Sequence, residues 1–298
     1  MLRAPQTMRI LSDFDGVWTD QAGEARAIQQ ALAREAAPLI GLTEDEAFDD
    51  FRSFYSATLA DPANNGWWPR GYLTAFVDED ELLATGAVSH WLDRGEGDPD
   101  VLGDAPDRWR AGMARGGFDG VEDLANRSFG PAMREHLESG AHGLVPEARD
   151  VVDELRRMGH DLVVVSNSPT PKLAAMFAGI GVEECSGVRF VGDARKWWIE
   201  DSGPTMTVAG RTVHLDRPLY RKILLEEKPD LIIGDVASLD LAMGSALRAK
   251  GELSKDVRLL LRSGGSPPQW AREQSTHAEG QRLVDEIVPS IRALVDPT

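Results

Sequence analysis

Leu162-Val163-Val164-Val165-Ser166-Asn167-Ser168-Pro169 is the stretch on which the reading of the fold turns. Its first four residues form a continuous, mostly β-branched apolar run, the pattern of a strand covered on both faces in a parallel sheet. Upstream, Pro146-Glu147 opens a helix with Val151, Val152, Leu155 and Met158 on one face, and Gly159 closes it. Downstream, Pro171 to Ile180 reads as a second helix, with Leu173, Met176, Phe177 and Ile180 facing inward.

The same alternation continues toward the C-terminus. A strand is predicted at Arg189–Val191, then a hairpin of Met206–Ala209 and Thr212–Leu215 turned at Gly210-Arg211. Pro218–Glu227 reads as helix, Leu231–Ile233 as strand, Leu239–Lys250 as helix, Val257–Leu261 as strand and Gln281–Val295 as a closing helix. A short apolar strand over residues 8–13 belongs to the same set. Alternating β and α elements with buried strands predict an α/β fold with a doubly wound, Rossmann-like, mostly parallel sheet.

Residues 22–140 have a different texture. Helical stretches at Glu24–Leu39, Thr43–Leu59, Glu79–Leu92 and Gly130–Ser139 alternate with loops rich in Gly, Pro, Asp and Trp, and Thr43…Glu46 has the spacing of a capping box. The expected organisation is a core from residues 1–20 and 141–298, interrupted by a largely α-helical domain over residues 21–140.

Composition limits the function classes. The 42% apolar and 27% charged content is ordinary for a protein with a real core. No run reaches the roughly 18 apolar residues of a membrane span, and the N-terminus lacks the apolar stretch of a secretory signal. A single cysteine, Cys185, excludes an internal disulfide and a cysteine-based zinc site, which fits a cytoplasmic location; its expected state is a small, semi-buried side chain. A net charge of -17 argues against nucleic acid and against an anionic membrane surface as partners. An anionic ligand would need positive charge supplied locally, by a metal, backbone N–H groups or a basic side chain.

Three predicted strand ends carry polar residues, and ligands of open α/β sheets bind at the carboxyl ends of the strands. The first is Asp13-Phe14-Asp15-Gly16-Val17-Trp18-Thr19. Asp13 and Asp15 project to one side of an extended chain. One carboxylate can attack phosphorus while the other transfers protons, and Gly16 allows close backbone approach to a phosphoryl oxygen. Alone, Asp-x-Asp is equally a solvated turn. The second is Ser166-Asn167, whose hydroxyl and backbone N–H groups precede a helix, as in an anion site or a plain N-cap. The third is Gly234-Asp235 with Asp240, hard oxygen ligands suited to Mg²⁺, or else helix-start carboxylates.

In this order and at these positions, the three motifs resemble those of the haloacid dehalogenase-like superfamily, over residues 8–20 and roughly 143–250. The resemblance implies that residues 21–140 are a helical cap entering between the first and second motifs. It implies Asp13 as nucleophile, Asp15 as general acid/base, and Mg²⁺ held by Asp13, the Asp15 backbone carbonyl, Asp235 and Asp240. Gly16, Ser166 and Asn167 would bind phosphate. Dehalogenases of the superfamily lack the second Asp, so Asp15 points to phosphorus as the target. The superfamily's lysine near the start of the helix before the final motif is replaced by Arg217, the favoured cation, with Lys172, Lys196 and Lys222 as alternatives.

The expected activity is Mg²⁺-dependent hydrolysis of a small phosphorylated metabolite through an aspartyl-phosphate. Phosphoryl transfer to a sugar, as in the superfamily's phosphomutases, shares the first half of that chemistry; a non-catalytic phosphate-binding protein is the rival outside enzymes. Trp67-Trp68-Pro69-Arg70 is either a substrate-facing loop or, the favoured reading, internal packing with Arg70 on the surface. His90, His136 and His142 lack metal-site spacing, and Gly264-Gly265-Ser266-Pro267-Pro268 reads as a turn.

Overall fold

A computed structural model describes residues 7–140, 143–185, 187–264, 267–276 and 282–295. The chain divides into two compact units, Met1–Asp20 with Gly143–Thr298, and Gln21–His142.

The first unit is built on a six-stranded sheet. Its strands are β1 (Arg9–Ser12), β2 (Asp161–Val165), β3 (Val188–Val191), β6 (Leu231–Gly234), β7 (Arg258–Arg262) and β8 (Glu286–Val288). The remaining strands, β4 (Thr205–Val208) and β5 (Arg211–His214), form the separate antiparallel hairpin. The sheet order is β8-β7-β6-β1-β2-β3, and every pairing is parallel. β1 is central: Ile10 registers with Leu162 on one side and Leu231 on the other, and Ser12 with Val164 and Ile233. This explains the uniformly apolar runs, because Leu162–Val165 and Leu231–Ile233 are buried on both faces. Helices Ala148–Met158 and Thr170–Gly179 flank β2 in sequence, and Val151, Val152, Leu155, Leu173 and Phe177 join one apolar cluster with Phe14 and Trp18. The order of the strands and the inserted helical region between β1 and β2 make this a doubly wound α/β fold.

Two expectations for this unit are corrected. The closing helix is a strand and a turn: β8 pairs with β7, and Ile291–Leu294 is a 3₁₀ turn. Pro289 would break a helix there by removing a donor and clashing with the preceding turn, whereas Ile287-Val288 suits a strand; Gln281 lies outside the described residues. The helix expected from Leu239 begins instead as a π-helical turn, Ala237–Leu241, and becomes regular at Ala242–Ala249.

The second unit has five helices of ten or more residues among the described residues: Ala22–Ile40, Glu44–Ala60, Ala84–Asp93, Ala105–Gly116 and Val121–Glu138. The capping box is formed: Thr43 Oγ1 accepts from the Glu46 amide, and the Glu46 carboxylate accepts from the Thr43 amide. Ala105–Gly116 was not predicted, and Val121–Glu138 begins nine residues before its predicted start at Gly130. Pro131 lies inside the helix, whose buried face of Val121, Leu124, Ala125, Ser128, Ala132 and His136 holds the turns together across the missing donor. The unit's own core contains Phe51, Phe54 and Trp109, with Phe54 edge-on to Trp109 at 5.7 Å. No described helix is long and apolar enough to cross a membrane.

Candidate active site

The central strand β1 delivers Asp13 to the carboxyl end of the sheet. The Asp13 amide continues the ladder by donating to the Ile233 carbonyl at 2.8 Å. The following residues are anchored by burial. Phe14 and Trp18 pack against Phe177 at 5.9 and 5.3 Å, and Trp18 Nε1 donates to Ser12 Oγ at 2.8 Å. The two aromatic side chains therefore fix the loop that carries both aspartates.

β6 brings up the second group of carboxylates. Oxygens of Asp13, Asp235 and Asp240 lie within 4.8 Å of one another. Two glycines permit this convergence. A Cβ on Gly16, whose φ is +72°, would sit 2.0 Å from Asp235 Oδ2, and a Cβ on Gly234 would sit 2.3 Å from Asp240 Cβ. The need for glycine at position 16 thus comes from Asp235 and from the left-handed backbone. Three convergent carboxylates fit a hard divalent cation such as Mg²⁺.

A buried lysine completes the cluster. Lys196 Nζ is 2.6 Å from Asp13 Oδ1 and 2.7 Å from Asp240 Oδ1. Asn167 positions the segment that carries it, because Asn167 Oδ1 accepts from the Lys196 amide at 2.8 Å. Asp13 Oδ1 also accepts from the Phe14 amide at 2.6 Å. Burial, with the Asp240 charge next in size, pushes the Asp13 carboxyl up to about 8 despite the opposing pull of Lys196. For Lys196, burial alone would lower the value; attraction to Asp13 and Asp240 outweighs it and holds the ammonium above the ordinary lysine range.

The choice of Arg217 as the site's cation is corrected. Its side chain is buried and donates from Nη1 to the Ser238 and Leu239 carbonyls at 3.0 and 2.8 Å. Lys196, twenty-one residues earlier, is the cation that meets Asp13. Sequence position misled here because Lys196 lies before the β4–β5 hairpin, and only the fold returns it to the strand ends. Lys222 is an exposed partner of Glu226.

Asp15 has its own cradle. Its Oδ2 accepts from Ser166 Oγ at 3.1 Å and Ser168 Oγ at 2.9 Å, and its Oδ1 accepts from Lys172 Nζ at 3.2 Å. The Ser166 hydroxyl therefore reaches Asp15, and the Ser168 amide in turn donates to Ser166 Oγ at 2.9 Å. Sequence reasoning missed Ser168, and also Arg262 at the end of β7, whose Nη1 donates to the Gly16 carbonyl at 2.5 Å. An arginine at a strand end was the available signal.

The other singled-out residues lie elsewhere. Trp68 stacks on His90 at 5.0 Å, with the Arg94 guanidinium 5.7 Å from its ring, and Arg70 is exposed with φ +58°. His90 is 3.7 Å from Glu122, and His136 is buried on its helix. Cys185 is exposed, not semi-buried, and its sulfur accepts from Arg156 at 3.1 Å. His142, Gly265 and Ser266 lie outside the described residues.

Comparison with solved structures gives matches along nearly the whole chain. CbbY from Rhodobacter sphaeroides, solved in complex with phosphate, is 18% identical, with 97% of this chain and 96% of that chain covered and a TM-score of 0.42. A HAD phosphatase from Thermococcus onnurineus is 13% identical, with the same coverages and a TM-score of 0.42. A 2-haloacid dehalogenase from Pseudomonas syringae pv. Tomato DC3000 matches at 16% identity, with 97% and 96% covered and a TM-score of 0.38. No protein-family model matches the sequence, and no curated protein matches it.

Proposed function

We propose that this protein is a Mg²⁺-dependent phosphatase acting on a small phosphate monoester through an aspartyl-phosphate at Asp13. The observation that carries the reading is the surroundings of one carboxylate. Asp13 lies 2.6 Å from a buried ammonium and within 4.8 Å of the Asp235 and Asp240 oxygens, and a second aspartate in its own polar cradle follows two residues later.

In this reading an Asp13 oxygen attacks phosphorus as the bond from phosphorus to the ester oxygen breaks. Asp15 gives its proton to the departing alkoxide and then takes one from water. That water attacks phosphorus, the bond from phosphorus to Asp13 breaks, and phosphate leaves with Asp13 restored. Ser166, Ser168 and Lys172 hold Asp15 in orientation for both transfers. Lys196 offsets the negative charge gathered on Asp13 and the phosphoryl group. Asp13, Asp235 and Asp240 would hold Mg²⁺, with the Asp15 backbone carbonyl as a further oxygen. Bound there, the ion supplies positive charge for the phosphoryl oxygens. Residues 21–140 are proposed to act as the cap that selects the leaving group.

The test is Mg²⁺-dependent phosphate release across a panel of phosphorylated metabolites, with Asp13→Asn run alongside. Release is expected from the parent, lost on chelation and in the variant. Undiminished release by a folded Asp13→Asn protein would remove the assignment.

A further inference from the structure

The proposed chemistry leaves two buried polar side chains without a task. Arg217 and Tyr220 are each 1% exposed and lie at the start of the helix Pro218–Glu227. Both are directed at the same main-chain segment. Arg217 Nη1 donates to the carbonyls of Ser238 at 3.0 Å and Leu239 at 2.8 Å, and Tyr220 Oη donates to the carbonyl of Asp240 at 2.7 Å. Three consecutive carbonyls are thus received by two side chains from another element.

Those carbonyls belong to the π-helical turn Ala237–Leu241. Such a turn is wider than an α-helical one, is rare, and forms mostly as a single turn, so its shape calls for support from outside. The shape has a consequence for Asp240. The turn places Asp240 Cβ where only a glycine at position 234 leaves room, sets Asp240 Oδ2 3.1 Å from the Val236 amide, and turns Oδ1 to Lys196 at 2.7 Å. Regularising the turn would change the rise and rotation at residue 240 and move the carboxylate away from Asp13 and Asp235.

We propose that Arg217 and Tyr220 are positioning residues that hold this turn open and so aim the Asp240 carboxylate into the metal site. The inference rests on the reading of Asp240 as a metal ligand. It gives Arg217 a different task from that of a phosphate-binding cation: its Nη1 donates to backbone carbonyls of the turn, while Lys196 meets Asp13.

The experiment is calorimetric titration of the full-length protein with Mg²⁺ alone, for the parent, Tyr220→Phe, Arg217→Lys and Leu155→Ala. Tyr220→Phe removes one hydroxyl and keeps the ring; it remains informative if the Arg217 variant does not fold. Outer partners of metal ligands typically change affinity by about 10- to 100-fold. Tyr220→Phe is expected at about the lower end of that range and Arg217→Lys, which loses the rigid guanidinium that donates to two carbonyls, at about the upper end. Leu155→Ala, in the apolar cluster, is expected to lower urea stability and leave Mg²⁺ affinity unchanged. Parent-like Mg²⁺ affinity in folded Tyr220→Phe overturns the proposal, as does an equal affinity loss in Leu155→Ala. Failure of the phosphatase reading looks different: the parent binds Mg²⁺ and releases no phosphate, while the affinity losses in Tyr220→Phe and Arg217→Lys persist and support the positioning role.

Discussion

Replacing Lys196 by Met removes an ammonium that is 1% exposed and lies 2.6 Å from Asp13 and 2.7 Å from Asp240. The apolar stem is kept, so the perturbation is largely one of charge. Taking one partner from a buried ion pair costs about 3–5 kcal/mol, because the remaining charge is left without compensation. With Asp13 pushed up to about 8, the Asp240 contact carries most of this loss near neutral pH.

The pH dependence has a definite sign. Asp13 has a folded value above the unfolded 3.8, so its contribution to stability falls as pH rises between 3.8 and about 8. Lys196 pulls that value down, and the Met variant therefore keeps Asp13 protonated to higher pH than the parent. Below about 7 the group is protonated in both folded proteins and adds no difference. Above about 8 the parent's carboxyl has ionised and the variant's has not. The gap then widens by up to about 1.4 kcal/mol per pH unit until the variant's carboxyl also titrates. The assay is urea-dependent hydrogen exchange of the Arg9–Ser12 and Asp161–Val165 amides, which reports on the first unit alone, in chelator at pH 6 and pH 9. A loss of about 3–5 kcal/mol at pH 6, larger at pH 9, is expected. A loss under about 1 kcal/mol at both values, no more than an ordinary neutral hydrogen bond contributes, would refute the reasoning.

Mg²⁺ binding should release close to one proton per ion near pH 6.5, because Asp13 sits at about 8 without the cation and must ionise to act as a ligand. Calorimetry in two buffers of different ionisation enthalpy reads this directly, and affinity should rise with pH until Asp13 has ionised; a buffer-independent heat contradicts it. Gly16→Ala puts a Cβ 2.0 Å from Asp235 Oδ2 at a φ of +72°. The backbone alone costs about 1–2 kcal/mol, and displacement of Asp235 should weaken Mg²⁺ binding and phosphate release together, so parent-like Mg²⁺ titration of a folded variant would contradict the packing argument.

How much of this was readable in the sequence follows from the range of the forces involved. Leu162–Val165 and Leu231–Ile233 announced the parallel sheet because burial on both faces leaves a continuous apolar run, and their C-terminal ends marked Ser166 and Asp235 as strand-end groups. β8 was misread because Glu286–Val288 is a three-residue edge strand, too short to show a period, although Pro289 already argued against a helix. The helix Ala105–Gly116 has Asp, Arg and Gly interleaved along it, and its identity comes from the buried Ala105, Pro106, Trp109, Gly112 and Met113 facing the rest of its unit. Arg217 shows the deeper limit. A basic residue just before a helix is compatible in sequence with a phosphate, a carboxylate or a carbonyl as its partner. The choice is made by what the rest of the chain brings within 3.0 Å, here the carbonyls of Ser238 and Leu239. With that cation turned to the backbone, Asp13 and Asp240 need positive charge from elsewhere, and Lys196 supplies it from a segment that Asn167 ties to the end of β2. The Asn167 side chain therefore acts through Lys196, holding in place the segment that carries the neutralising ammonium.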